Sequence, residues 1–204
     1  MIYPAPAALP PEEEQEAYLD SVLDWFDDAA RTTPDAALTG FLGHPVDLRT
    51  LRITGLHHVA VYVGDYDREE DFDQWLALVG KSPGTEDVRT GPSHIAPREY
   101  GTPGHWINCR AGGRELELFT CRSRGDWAGR PAGEKNALMS HFGLAVDAPD
   151  HVRPLLDYLA TFDGVELLAF APGDELGHTY GHLLRRDTGR VLELVHPGAP
   201  PARG

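Results

Sequence analysis

The strongest constraint on this chain is an internal repeat. His58-Val-Ala-Val-Tyr-Val63, followed by a helical run through Phe72, Trp75, Leu76 and Val79, returns as His141-Phe-Gly-Leu-Ala-Val146, followed by Val152, Leu155, Leu156 and Leu159. Further on, Gly104-His-Trp-Ile matches Gly181-His-Leu-Leu, and Arg114-Glu-Leu-Glu-Leu118 matches Arg190-Val-Leu-Glu-Leu194. The matched positions lie 83, 77 and 76 residues apart. Period-two alternation marks strands, and the i, i+3, i+4 runs mark helices. Turn signals at Ala111-Gly112-Gly113 and Asp187-Thr188-Gly189 precede each last strand. Each copy therefore reads strand, helix, three strands. One such module leaves half its sheet uncovered, so the expectation is an α+β fold in which two paired βαβββ modules curl their sheets around a metal-containing cavity.

Strand parity separates the candidate site from the core. Side chains alternate between faces, so His58, Ala60 and Tyr62 share one face while Val59, Val61 and Val63 share the other, which should pack under the module helix. In the second copy His141, Gly143 and Ala145 lie opposite Phe142, Leu144 and Val146. Glu117 stands between Leu116 and Leu118, and Glu193 between Leu192 and Leu194. A carboxylate inside an apolar strand is costly to bury unless it is paired or binds a metal. His58, Glu117, His141 and Glu193 thus supply two imidazoles and two carboxylates from four strands, a set suited to one divalent metal ion with positions left open. Zinc, nickel, cobalt, manganese and iron all fit. His57 has the opposite parity and is expected to pack on the helix side or lie at the surface.

The segments LHHVAVYV, RELELF, SHFGLAV and DTGRVLELV, within residues 52–197, resemble the vicinal oxygen chelate superfamily, which includes glyoxalase I, methylmalonyl-CoA epimerase, extradiol dioxygenases and bleomycin-binding proteins. The resemblance implies that His58, Glu117, His141 and Glu193 are the metal ligands. It further implies an isomerase or epimerase, or a glyoxalase-like lyase. Such an enzyme would move a proton next to the carbonyl of a small hydroxy-ketone or sugar-like metabolite, through an enediolate that the metal stabilises. Glu117 or Glu193 would serve as the base. Two alternatives remain: an iron(II)-dependent dioxygenase using His58, His141 and Glu193, and a small-molecule binding or resistance protein. His105 and His182, the twin Gly-His positions, and Tyr62 are further candidates for proton transfer or substrate contact. His178 and Tyr180 lie in a glycine-flanked stretch that could cover the site. The Gly- and Pro-rich segment from Gly84 to Gly104, with His94, Arg98 and Tyr100, reads as a loop at its mouth, where Arg98 could meet an anionic substrate.

Three segments are expected: an acidic helical extension over residues 1–50, a first module over 51–125 and a second over 136–197. The extension holds Tyr18, Leu19, Val22, Leu23, Phe26 and Ala29 at helical spacing after Pro10-Pro11, with carboxylates on the other side. Ten acids against Arg31 and Arg49 place more than half of the net charge of -14 in these residues. So acidic a surface disfavours nucleic acid and anionic membrane as partners and leaves a small-molecule substrate. A homodimer is compatible with the fold. No apolar run approaches the roughly 20 residues of a membrane helix, the N-terminus lacks a signal-peptide pattern, and Cys109 and Cys121 are expected to be reduced thiols in a cytoplasmic protein. Only Lys81 and Lys135 of 18 basic residues are lysine, a bias of GC-rich coding that is compatible with a place in specialised metabolism.

Overall fold

A computed structural model describes residues 2–174 and 177–198. The chain is α+β and divides into two compact units. The first holds residues up to 31 and 58–140; the second holds 32–57 and the residues from 141 onward. Residues 175 and 176, within the expected second module, lie outside the described residues.

The first unit contains β1 (Ile53–Tyr66, its first five residues counted with the second unit), α3 (Glu69–Lys81), β2 (Glu86–Pro92), α4 (Ile95–Tyr100), β3 (Gly104–Ala111) and β4 (Arg114–Arg122). Its strands lie in the order β2-β3-β4-β1, with β1 parallel to β4 and the other pairs antiparallel. The second unit repeats this with β5 (His141–Val146), α7 (Pro149–Leu159), β6 (Val165–Ala171), β7 (Thr179–Arg185) and β8 (Arg190–His196), ordered β5-β8-β7-β6. Short helices α5 (Gly125–Ala128) and α6 (Ala132–Met139) close the first unit. The expected strand-helix-strand-strand-strand order is present twice.

The apolar faces pack as the alternation predicts. Val59, Val61 and Val63 are buried, as are Phe72, Trp75 and Val79 of α3. In the second unit Leu144, Val146, Leu192 and Leu194 form one core with Val152, Leu155, Leu156 and Leu159 of α7. Each such side chain removed from water contributes on the order of 1.5–3 kcal/mol.

The first 50 residues hold two helices with separate destinations. The α1 helix (Glu12–Ala29) buries Leu19, Val22, Phe26 and Ala29 in the first unit, where the Tyr18 hydroxyl donates to Val63 O at 3.1 Å and its ring lies 5.8 Å from that of Trp75. The α2 helix (Pro34–Leu42) is capped by Thr33, whose hydroxyl accepts from Ala36 N at 3.2 Å, and stops at Gly43 in the left-handed conformation. It buries Ala37, Leu38, Phe41 and Leu42 in the core of the second unit. The cap and the proline that follows it interrupt what sequence periodicity suggested was one appended element.

An N-terminal arm ahead of α1 docks on the end of β1: Leu9 N donates to Asp65 O at 2.7 Å and Asp65 N to Ala7 O at 3.1 Å. Gly64, at φ +110°, makes this approach possible, since a Cβ there would stand 2.5 Å from the Ala8 carbonyl carbon. No helix among the described residues is long and apolar enough to cross a membrane.

Candidate functional site

Strand pairing sets a grid on each sheet, and the two grids carry the same motif. In the first unit β1 and β4 run parallel with Ala60 opposite Glu117, so His58 sits diagonally from Glu117 on the same face. In the second, Gly143 is opposite Glu193, and His141 takes the same diagonal. The small residues at 60 and 143 leave the glutamates room on that face. His58 Nε2 lies 3.5 Å from Glu117 Oε2, and His141 Nε2 lies 3.1 Å from Glu193 Oε2. Three of these side chains are less than a tenth exposed, and Glu117 is 16 % exposed. Each unit therefore carries a largely buried imidazole-carboxylate pair with the chemistry of a divalent-metal half-site.

The twin Gly-His positions part company. His182 faces Glu193 directly across β7 and β8, and its Nε2 lies 3.0 Å from the same Oε2 that His141 approaches. Its ring stands edge-on to those of His141 at 5.1 Å and Tyr180 at 5.6 Å. Tyr180 is thus a β7 residue on the His182 face, not part of a covering loop. His105 instead faces Thr120, and the partner of Glu117 across the hairpin is Asn108. This puts His105 on the helix side of the sheet, stacked on Phe72 at 4.0 Å and 3.7 Å from Glu69 Oε2. The structure does not bring His105 to the His58–Glu117 pair. His57 has the expected opposite parity, with its ring 5.9 Å from that of His178.

Tyr62 shares the His58 face but is fully buried, and its hydroxyl donates to Asp65 Oδ1 at 2.5 Å. Burial first, and the Asp65 carboxylate next, push its phenol far above the ordinary value. That phenol is committed to a network the sequence reading missed: Asp65 also accepts from Trp127 Nε1 at 2.8 Å and from Lys135 Nζ at 2.6 Å. Asp65 and Lys135 are each 2 % exposed in their side chains. The rarity of lysine in the chain was the one available hint that Lys135 is unusual.

The expected mouth loop contains β2 and α4. Arg98 on α4 is paired with Glu99 at 2.6 Å, and Tyr100 stacks on Trp127 at 5.1 Å. Both cysteines are free and buried, and burial pushes the Cys109 thiol up to about 12.

The duplicated βαβββ topology, with a His–Glu pair at the same register in each copy, has the architecture of the vicinal oxygen chelate fold. Among solved structures the chain is similar to methylmalonyl-CoA epimerase from Mycobacterium tuberculosis, at 15% identity and a TM-score of 0.44 over 74% of this chain and 92% of that one. A Streptomyces coelicolor methylmalonyl-CoA epimerase variant in complex with 2-nitronate-propionyl-CoA matches at 17% identity and a TM-score of 0.42, over 72% of this chain and 99% of that one. A variant of 4-hydroxymandelate synthase from Streptomyces coelicolor matches at 18% identity and a TM-score of 0.43, over 75% of this chain and 50% of that one. No family model matches the chain. No curated protein matches it either.

Proposed function

We propose that the protein is a metal-dependent enzyme in which His58, Glu117, His141 and Glu193 together hold one divalent ion, and that it catalyses isomerisation, epimerisation or a glyoxalase-like lyase step by moving a proton next to a carbonyl. The observation that carries this reading is the repeat of the His–Glu diagonal at one register in both modules, with both pairs largely buried. Two imidazoles and two carboxylates suit manganese, iron, cobalt, nickel or zinc better than calcium or magnesium.

When bound, such an ion supplies Lewis-acid chemistry to a substrate with two neighbouring oxygens. The side chains do the rest. Glu193, approached at one oxygen by both His141 and His182, is fixed in orientation and serves as a ligand. Glu117, the more exposed of the two carboxylates, is assigned the proton acceptor. Its face is kept open by Ala60, and Asn108 beside it offers an amide to a substrate oxygen. A small hydroxy-ketone or related metabolite is the substrate class. Two free, buried thiols support a cytoplasmic setting.

The test is solvent exchange. The metal-loaded protein, incubated with a panel of hydroxy-ketones in deuterated water, should exchange the proton beside the carbonyl. Glu117→Gln should lose that exchange while retaining metal. Oxygen uptake with iron(II) and no exchange would assign the dioxygenase class instead. Ligand binding that survives both Glu117→Ala and His141→Ala would assign a binding protein.

A further inference from the structure

The two grids differ beyond their shared pair. The row through Glu117 reads Ala60, Glu117, Asn108, Arg89 from β1 to β2. The matching row of the second unit reads Gly143, Glu193, His182, Ala169. The first ends in a cation and the second in a methyl group. Residues directly opposite across antiparallel strands share a face, so Arg89 lies on the face of Asn108 and Glu117. Thr90 and Ile107, the next pair along, belong to the other face, where Ile107 is buried.

Resting on the metal-centre reading above, we infer that Arg89 is the specificity residue of this site and binds a carboxylate carried by the substrate away from its metal-chelating oxygens. Three observations converge on Arg89. It is exposed, and among the described residues its guanidinium has no carboxylate partner, whereas Arg68, Arg98, Arg153, Arg185 and Arg186 are each paired with an acid. The surface beside it is shaped: Gly91, two residues along β2, faces Trp106, and a Cβ at Gly91 would stand 2.4 Å from the indole. The missing side chain lets the indole lie across the strand as an apolar wall next to the guanidinium. Finally, the charge context makes a cation here selective, because the chain carries a net charge of -14 and a small anion would be repelled elsewhere. Asn108 holds the middle of the row, its amide donating to Glu115 Oε1 at 2.8 Å.

Spacing limits the substrate. Neighbouring strands are about 4.8 Å apart, so the backbones at Arg89 and Glu117 stand about 10 Å apart. An arginine side chain spans much of that gap, and the carboxylate must lie only a few bonds from the reacting carbon.

The experiment compares two chelating probes on the cobalt(II)-loaded full-length protein, followed by the visible spectrum of the metal: acetohydroxamate, and the monohydroxamate of succinate, which adds a carboxylate. The expected result is about tenfold tighter binding of the carboxylated probe, the size of one charge-assisted hydrogen bond. In Arg89→Ala the preference should vanish, while the affinities for cobalt and for acetohydroxamate change less than about twofold, a bound well inside that tenfold step. Equal binding of the two probes by the unmodified protein, or a preference that survives Arg89→Ala, overturns the inference and leaves the metal centre standing. Failure to bind cobalt at all overturns the metal-centre reading and this inference with it.

Discussion

The two modules share a plan but are stabilised differently. In the second unit the core around α7 is aliphatic and aromatic, with α2 packed into it. In the first unit the end of β1 is fastened by a buried charge: Asp65 accepts from Lys135, Trp127 and Tyr62, and its backbone ties down the N-terminal arm. Close by, Ser140 accepts from Tyr62 N at 2.9 Å and donates to Asn136 Oδ1 at 3.3 Å, while the Asn136 amide donates to Ala5 O at 3.2 Å. The comparison teaches that duplication kept the His–Glu diagonal and left its surroundings free to diverge.

The largest expected effect breaks the contrast at Asp65. Lys135→Met alone leaves a desolvated carboxylate and should cost about 3–5 kcal/mol in a urea titration. The double change Asp65→Leu with Lys135→Met should cost clearly less, because no charge is stranded. A single change that costs under 1 kcal/mol, well below that stranded-charge range, would show that the network is not what holds the first unit together.

His182 sharpens the comparison at the site. Removing it should weaken metal binding by about 10–100-fold, the usual cost of losing a group that orients a ligand. Asn108→Ala, at the matching position of the first row, should leave metal affinity nearly unchanged. Competition with a chromophoric chelator reads both. Equal effects would mean that the two rows play the same part.

Smaller still is a pH effect confined to one unit, since Cys109 and Cys121 both lie in the first. Burial raises the Cys109 thiol from 9.0 to about 12, and burial raises Cys121 as well. The unfolded chain therefore loses thiol protons first, and stability present below about pH 9 should decline as pH rises towards 12. Thiol labelling at pH 8 should be negligible until the first unit opens. Replacement of both cysteines by alanine should flatten the alkaline decline.

The repeat, the buried valine face and the four metal-ligand candidates were legible because each depends on local periodicity that tertiary structure preserved. His105 was not. Its spacing from Glu117 looks like that of His182 from Glu193, but strand pairing counts from the turn. Ala111 pairs with Arg114 across a two-residue turn with positive φ at Gly112 and Gly113, whereas Arg185 pairs with Arg190 across a four-residue loop. The histidines thus fall on opposite faces, which the motif alone does not encode. The Asp65–Lys135 pair joins residues 70 apart in sequence, and no periodicity links them. The division of the first 50 residues was readable in principle: Thr33-Pro34 and Gly43 are start and stop signals, overshadowed by the long run of acids and apolar residues before them.

The central claim is that one ion is shared by the two His–Glu pairs, and metal stoichiometry tests it most directly. Elemental analysis of the full-length protein after loading and gel filtration should give one divalent ion per chain, and His58→Ala or His141→Ala alone should each abolish retention. Two ions per chain, or full retention after either single substitution, would contradict a shared centre.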